Sequence, residues 1–368
     1  MRVKKRQQRL AIAAATSVML LLAACGSDSE SSDTTASGGS SETTAAGGGG
    51  AKLGKAGVSV FSLSNEFLAS EAKLAAAALG AGGWEALPPV DAKASVDQQV
   101  TDVNNLIAAG VAGLVIDPAD SAGIVPALNA AEKAGVPVVL VDVGASGGKA
   151  YMTVRVDNAA AAAQVCDQMG KMLTEAGKPN GTVLQLQGIL AQQAGQQRTS
   201  GFDECMAKNY PDIKIIRQPT DWDAKKAADA TQTVVSSETV DAIYMHSDCA
   251  LLTGVQSALK QIDRLAPKGD PNHIILGAID GCAAALDAIR AGTLDFTVEQ
   301  PLVTYASLSA KYLTDAANGV QPTEGPAAPS GKIVKNVTGY EHILDAVLVT
   351  DKNVEDADRW GNAAKNAG

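Results

Sequence analysis

The alternation of strand-forming and helix-forming segments constrains this chain more than any other feature, and it is clearest between Ser95 and Asp142. Val96, Val100, Val103 and Ile107 fall at helical spacing, behind an S-x-x-Q capping box at Ser95 and Gln98 and ahead of a closing Gly110. Gly113 to Ile116 is a short apolar run stopped by Asp117-Pro118. A second helix is expected from about Ser121 to Ala134, with Gly135 as its stop. Val136 to Val141 is almost continuously apolar, as befits a strand covered on both faces in a parallel sheet. Asp142 then stands at the carboxyl end of that strand, where open α/β sheets place their ligands.

The unit recurs along the chain. Strands are expected at 57–63, 84–87, 151–156, 182–187, 213–217, 242–245, 274–279 and 294–299, most of them followed by a helical stretch. A helix at 303–318, a proline-rich loop at 321–330 and one or two strands (332–337, 346–349) end the fold. Strands alternating with helices at this interval specify an α/β protein with a parallel sheet covered by helices on both faces.

The first residues are not part of that pattern. Arg2, Lys4, Lys5, Arg6 and Arg9 precede a small and apolar stretch, Leu10 to Leu22, too short for a comfortable membrane span, so residues 1–24 read as an export signal. Leu22-Ala23-Ala24-Cys25 resembles a bacterial lipobox, which implies cleavage before Cys25 and lipidation of that cysteine. The Ser, Thr and Gly that follow suit a tether, placing a lipidated linker at 25–56. Removing residues 1–24 takes five positive and no negative charges from a chain of net −10, leaving −15, which argues against a nucleic-acid partner. Roughly 310 residues remain after the tether, enough for two domains.

Nine short motifs in order then resemble the periplasmic sugar-binding proteins of the ribose-binding type, the soluble receptors of ABC importers. They are SLSNEF (62–67), GLVIDPADS (113–121), GVPVVLVD (135–142), VDN (156–158), TVLQLQG (182–188), RTSGF (198–202), SDCAL (247–251), GAIDG (277–281) and EQP (299–301). The resemblance implies two similar doubly wound domains joined by a three-segment hinge, the type I periplasmic binding fold, closing on a ligand between them. The crossings should fall near Val156-Asp157, near Gln300-Pro301 and in the loop at 321–332. The N-terminal lobe would then hold 57–156 and 301–330, and the C-terminal lobe 157–300 and 331–368.

By the same resemblance Asp142 and Asp280 match acceptors of sugar hydroxyls, Asn65 and Gln300 match amide contacts, and Phe67 and Trp222 match aromatic positions. Ser247 and Gln196 complete the set. Carboxylates accept strongly and amides both donate and accept, so the chemistry suits an array of hydroxyls. The alternative for each aspartate is an N-cap for the next helix. In ribose-type relatives arginines stand where this chain has Val143 and Gln196, and an asparagine where it has Ser247, so a pentose is not favoured. These matched positions contain no lysine or arginine, so a neutral monosaccharide or a polyol is expected. The expected partners are that ligand, an ABC permease and, through Cys25, the membrane, for a protein exported to the periplasm or the outer face of the cell membrane. A monomer is expected, with no cofactor and no metal.

A sensor role and an exported hydrolase are the competing functions. Gly144-Ala145-Ser146-Gly147-Gly148 satisfies G-x-S-x-G, yet no helix is expected after Ser146. His246, His273 and His342 show no metal-ligand spacing. With Cys25 lipidated, Cys166, Cys205, Cys249 and Cys282 form an even set in an oxidising compartment. Cys249 and Cys282 open helices at equivalent places and Cys166 and Cys205 lie on successive helices, so the pairs 249–282 and 166–205 are expected.

Overall fold

In the computed structural model residues 53–366 are described, so the expected signal, Cys25 and all but the last residues of the linker lie outside the described residues. The first series runs β1 (Lys55–Val60), α1 (Glu66–Ala81), β2 (Glu85–Ala86), β3 (Val90–Asp91), α2 (Val96–Ala108), β4 (Gly113–Ile116), α3 (Val125–Ala134), β5 (Val138–Val141) and β6 (Met152–Val156). The second runs α4 (Asn158–Glu175), β7 (Thr182–Gln187), α5 (Gln193–Asn209), β8 (Lys214–Pro219), α6 (Ala224–Ser237), β9 (Ala242–Met245), α7 (Asp248–Gln261), β10 (Ile275–Asp280), α8 (Ala283–Arg290) and β11 (Phe296–Glu299). The chain ends with α9 (Leu302–Ala317), β12 (Gly325–Pro326), β13 (Lys332–Lys335), β14 (Tyr340–Leu344), β15 (Val347–Val349) and α10 (Trp360–Asn366). None of the described helices is long and apolar enough to cross a membrane.

Two sheets result, with one strand order. The first reads β2-β1-β4-β5-β6 and the second β8-β7-β9-β10-β11, so each winds outward in both directions from its first strand. β1 begins at Lys55, inside the expected tether, because Ala56 and Val58 are already buried. The core rests on Val, Leu, Ile and Ala, with central strands such as β4 and β5 buried at every position.

The lobe boundary in the tail differs from expectation. Residues 331–368 are expected in the C-terminal lobe, but β13 and β14 extend the first sheet, with Glu341 to Leu344 pairing in parallel with Thr153 to Val156. Only β15 joins the second sheet, antiparallel to β11. The third crossing therefore falls at Asp345-Ala346 and not at 321–332. β14 escaped notice because Tyr340-Glu341-His342 lacks an apolar pattern. Glu341 and His342 are buried because each has a partner, Arg155 at 2.8 Å and the Tyr312 hydroxyl at 2.7 Å.

The hinge is tied by hydrogen bonds between its crossing segments. Val156 N donates to the Tyr305 hydroxyl at 2.8 Å, and that hydroxyl donates to Gln300 Oε1 at 2.9 Å. Asp157 N donates to Leu344 O at 3.2 Å. Above the hinge the lobes meet, with Gln192 Nε2 donating to Ala119 O at 2.9 Å and Phe67 edge-on to Trp360, centroids 6.0 Å apart.

Local chemistry accounts for the elements that carry the site. Ser95 Oγ caps α2 by accepting from Gln98 N at 3.3 Å, but Gln98 reaches forward to Asp102 at 2.8 Å, so only half of the capping box forms. The buried face of α2 is Gln99, Val103 and Leu106, which shares Val103 with the apolar stripe read from sequence and turns Val100 and Ile107 to half-buried positions. Gln99 is buried because its amide clamps the loop after β4, donating to Asp117 O at 2.7 Å and accepting from Ala119 N at 2.7 Å. The Cys166–Cys205 disulfide joins α4 to α5. Gly201 lets the same helices approach, since a Cβ there would lie 2.2 Å from Ala159 O.

Candidate functional site

The carboxyl ends of the strands in both sheets face one another across a cavity of about 280 Å³. From the first lobe Ser62, Ser64 and Asn65 follow β1, Asp117 follows β4 and Asp142 follows β5. From the second, Trp222 follows β8, Ser247 follows β9, Asp280 ends β10, and Gln300 follows β11 at the hinge; all line the cavity. Phe67, from the start of α1, lines it too. Seven of the eight expected residues are thus brought together. Gln196 is not: it points to the surface and donates to Leu190 O at 2.8 Å, on the face of α5 turned from the lining.

Asp142 and Asp280 both have positive φ, 58° and 120°, a region that side chains adopt only when the surroundings hold them there. Neither is an N-cap. Asp280 Oδ1 accepts from Gln300 Nε2 at 2.8 Å and from Arg198 Nη1 at 3.2 Å, and Oδ2 accepts from Ser247 Oγ. A carboxylate offers about four acceptor sites, so Asp280 keeps capacity for a ligand while its orientation is locked. Asn65, by contrast, does cap a helix: Oδ1 accepts from Phe67 N at 2.9 Å and Leu68 N at 3.3 Å, which leaves its amide nitrogen to donate into the cleft.

Arg198 is the residue that overturns the expected absence of cations in the site. It lines the cavity from α5, is 2 % exposed, and is held by Asn158 Oδ1 at 2.8 Å, His246 O at 2.5 Å and Asp280. Burial works against its charge, but Asp280 and Asp142 outweigh that and keep it ionised. Its signal in the sequence is the RTSGF motif, which it opens two residues beyond Gln196, the position matched to an arginine. Asp117 was also missed. It follows β4 just as Asp142 follows β5, and the rule that ligands gather at strand ends applies to both.

Trp222 forms the opposite wall. Its Nε1 donates to Gln192 Oε1 at 2.6 Å, the Arg198 guanidinium lies 5.7 Å from its ring centroid, and Asp221 and Trp222 both have positive φ. Gly188 is required beneath it: a Cβ there would fall 1.9 Å from the indole.

The first-lobe acids are electrostatically exposed to one another. Burial, and then the repulsion of Asp280, raises Asp142 to about 6, although Arg198 and Arg155 pull it down. Burial also pushes Asp117 and Glu71 well above the carboxylate range, with Asp142 adding to both. Asp280 is raised by burial and restrained by Arg198, Ser247 and Gln300.

The competing chemistry is not assembled. Ser146 donates to Ser121 O at 3.1 Å in an exposed turn with no helix behind it, and His246 is fully buried behind the cleft wall. Burial and then Arg198 hold His246 neutral, and its Nδ1 accepts from Gly188 N at 3.3 Å. The expected 249–282 disulfide is absent: both cysteines are thiols, their sulfurs within 4.8 Å of each other and of an Asp248 oxygen. Burial pushes Cys249 well up; Cys282, lowered by its hydrogen bond with Cys249, is still left at about 12 by burial, so the thiolate that exchange requires is suppressed. Asp248 instead ties the strand ends together, accepting from Gly281 N at 2.9 Å and Cys282 N at 3.1 Å beside Asp280.

Comparison with known proteins places this geometry in context. Residues 56–321 match the family profile described as "Periplasmic binding protein domain". The chain is similar to the ribose import binding protein of Bacillus subtilis, 29% identical over 281 residues covering 74% of this chain and 85% of that protein. It is 30% identical to the xylitol-binding protein of Mycolicibacterium smegmatis over 200 residues, 54% of each chain. Among solved structures it is similar to an ABC transporter solute binding protein of Mycobacterium smegmatis with bound glycerol, with a TM-score of 0.69 and 25% identity, covering 82% of this chain and 95% of that one. A solute binding protein of Bacillus halodurans with bound myo-inositol shares the fold, with a TM-score of 0.70 at 22% identity, covering 84% and 99%.

Proposed function

Because the chain belongs to the periplasmic binding protein domain family, we propose that it is the substrate-binding protein of an ABC importer and that its cleft captures a monosaccharide or polyol for delivery to a membrane permease. It is a binding protein and not an enzyme. The observation that carries the ligand class is the convergence of Asn65, Asp142, Trp222, Ser247, Asp280 and Gln300, from both lobes and the hinge, on a single cavity of about 280 Å³. That size is close to the lower end of the roughly 300–1,000 Å³ of small-molecule sites, which suits a single ring. Hydroxyls need acceptors and donors side by side, and an apolar ring face needs an aromatic wall; Asp280, Gln300 and Asn65 supply the first and Trp222 and Phe67 the second.

The protein is exported, and Cys25 anchors it by lipid to the outer face of the membrane, leaving the two lobes to work as a monomer. Replacing Cys25 with serine should release the protein from membranes into the soluble fraction.

A thermal-shift screen of monosaccharides and polyols tests the ligand class. A ligand at a hundredfold excess over its Kd stabilises the fold by about 2.7 kcal/mol, a readily measured shift. Asp280→Ala should remove the shift. A screen in which only sugar phosphates or sugar acids bind would overturn the proposal.

A further inference from the structure

The first-lobe wall of the cavity gathers three buried carboxyl groups, two of them pushed well above the ordinary carboxylate range by burial and by their neighbours. Glu71 on α1, Asp117 and Asp142 are 1 %, 2 % and 8 % exposed. Each has a buried oxygen that no donor reaches: Glu71 Oε2, Asp117 Oδ1 and Asp142 Oδ1. Buried polar atoms nearly always find a partner, so three together on one wall need a cause. Asp117 and Asp142 line the cavity, with Glu71 close enough behind them to repel both. The second lobe differs. Its deep carboxylate, Asp280, is met by Arg198, the sole lysine or arginine among the lining residues described. Arg155, the other guanidinium felt by Asp142, is already paired with Glu341 at 2.8 Å.

We propose that this wall seats an ammonium group, so that the ligand is an amine-bearing monosaccharide or polyol whose –NH₃⁺ donates to the carboxylates of Asp117 and Asp142. The proposal rests on the sugar-binding reading above and narrows it to a cation. A hydroxyl brings one donor and no charge. It leaves in place the burial and repulsion that favour the protonated acids, so it draws nothing from their charge. An ammonium brings three donors and a positive charge that favours the ionised form of both acids. The rest of the cavity, with Asp280, Gln300, Asn65 and Trp222, remains suited to the hydroxyls and ring of the same molecule. The expectation of a neutral ligand considered Asp142 and Asp280 alone; Asp117 and Glu71 change the balance.

Calorimetry at pH 7 on the full exported protein tests the inference with matched pairs: D-glucosamine against D-glucose, D-galactosamine against D-galactose, and 1-amino-1-deoxy-D-glucitol against D-glucitol. N-acetyl-D-glucosamine keeps the nitrogen without the charge. The amine should bind at least tenfold more tightly than its partner in any pair that binds, and the N-acetyl sugar should lose that gain. Asp117→Asn should reduce the amine-to-neutral ratio at least tenfold, and Asp142→Asn serves the same purpose should the first variant not fold. A neutral member, or the N-acetyl sugar, that binds as tightly as the amine would overturn the inference and leave the proposed function standing. Failure of both series would overturn both.

Discussion

At the scale of single residues the site is held by an ion pair that cannot be halved without loss. Arg198 and Asp280 are both buried, and Arg198 also supports the His246 carbonyl and Asn158. Arg198→Ala should therefore destabilise the protein by roughly 3–5 kcal/mol in urea, because Asp280 is left charged and unpaired. Trp222→Ala should cost about 1–3 kcal/mol of ligand affinity with little loss of stability, since the ring is an anchor at the cavity wall. Gly188→Ala should lower affinity in the same direction by displacing the indole, a comparison readable from Trp fluorescence on titration. The pH dependence follows from Asp142. Its folded value of about 6 lies above the unfolded one, so the protonated form belongs to the folded state. That stabilisation is complete below pH 4 and is lost as pH rises through about 6. The ligand-free protein should melt higher at pH 5 than at pH 7. Asp142→Asn should flatten that slope, by up to about 3 kcal/mol across the range; an unchanged slope would show that other groups govern it.

At the scale of elements, two attachments position the walls. The Cys166–Cys205 disulfide staples α4 to α5, the helix that carries Arg198. Replacing both cysteines with alanine should cost about 2–4 kcal/mol of stability, measured by urea unfolding with the native protein as reference. Gln99 does for the first lobe what the disulfide does for the second, since its amide holds both sides of the Asp117 loop. Gln99→Leu should therefore weaken ligand binding through Asp117 although the side chain never touches the cavity. The helices, most strands and the Cys166–Cys205 neighbourhood were legible in the sequence because apolar periodicity and turn residues report local structure directly. Gln99 and β14 were not, because a polar side chain is buried only where a partner from elsewhere in the chain awaits it, as Asp117 O awaits Gln99 and Arg155 awaits Glu341.

At the scale of the whole molecule, ligand binding and lobe closure share the same residues. Gln300 accepts from Tyr305 at the hinge and donates to Asp280 in the cleft, so the crossing segment and the binding carboxylate form one hydrogen-bonded unit. Small-angle scattering should show a smaller radius of gyration with a tight ligand than without it, and identical curves would count against closure. Gln192→Ala removes the contact between the lobes at Ala119 and the support of Trp222, so it should weaken affinity and shift the ligand-free ensemble towards larger radii.

The sequence alone determined the repeating strand-helix unit and the strand-end positions of Asp142, Trp222, Ser247, Asp280 and Gln300. Each of these depends on periodicity or on place within a unit, which neighbouring residues already encode. Tertiary structure alone decided which charges meet. It brought Arg198 to Asp280 across 82 positions, left Gln196 at the surface one helical face away, and set Glu71 from α1 behind Asp117 and Asp142. It also left Cys249 and Cys282 as neighbouring thiols and carried β14 back to the first sheet. Electrostatic pairing depends on distance and burial between segments far apart in the chain, and neither quantity is written in local order.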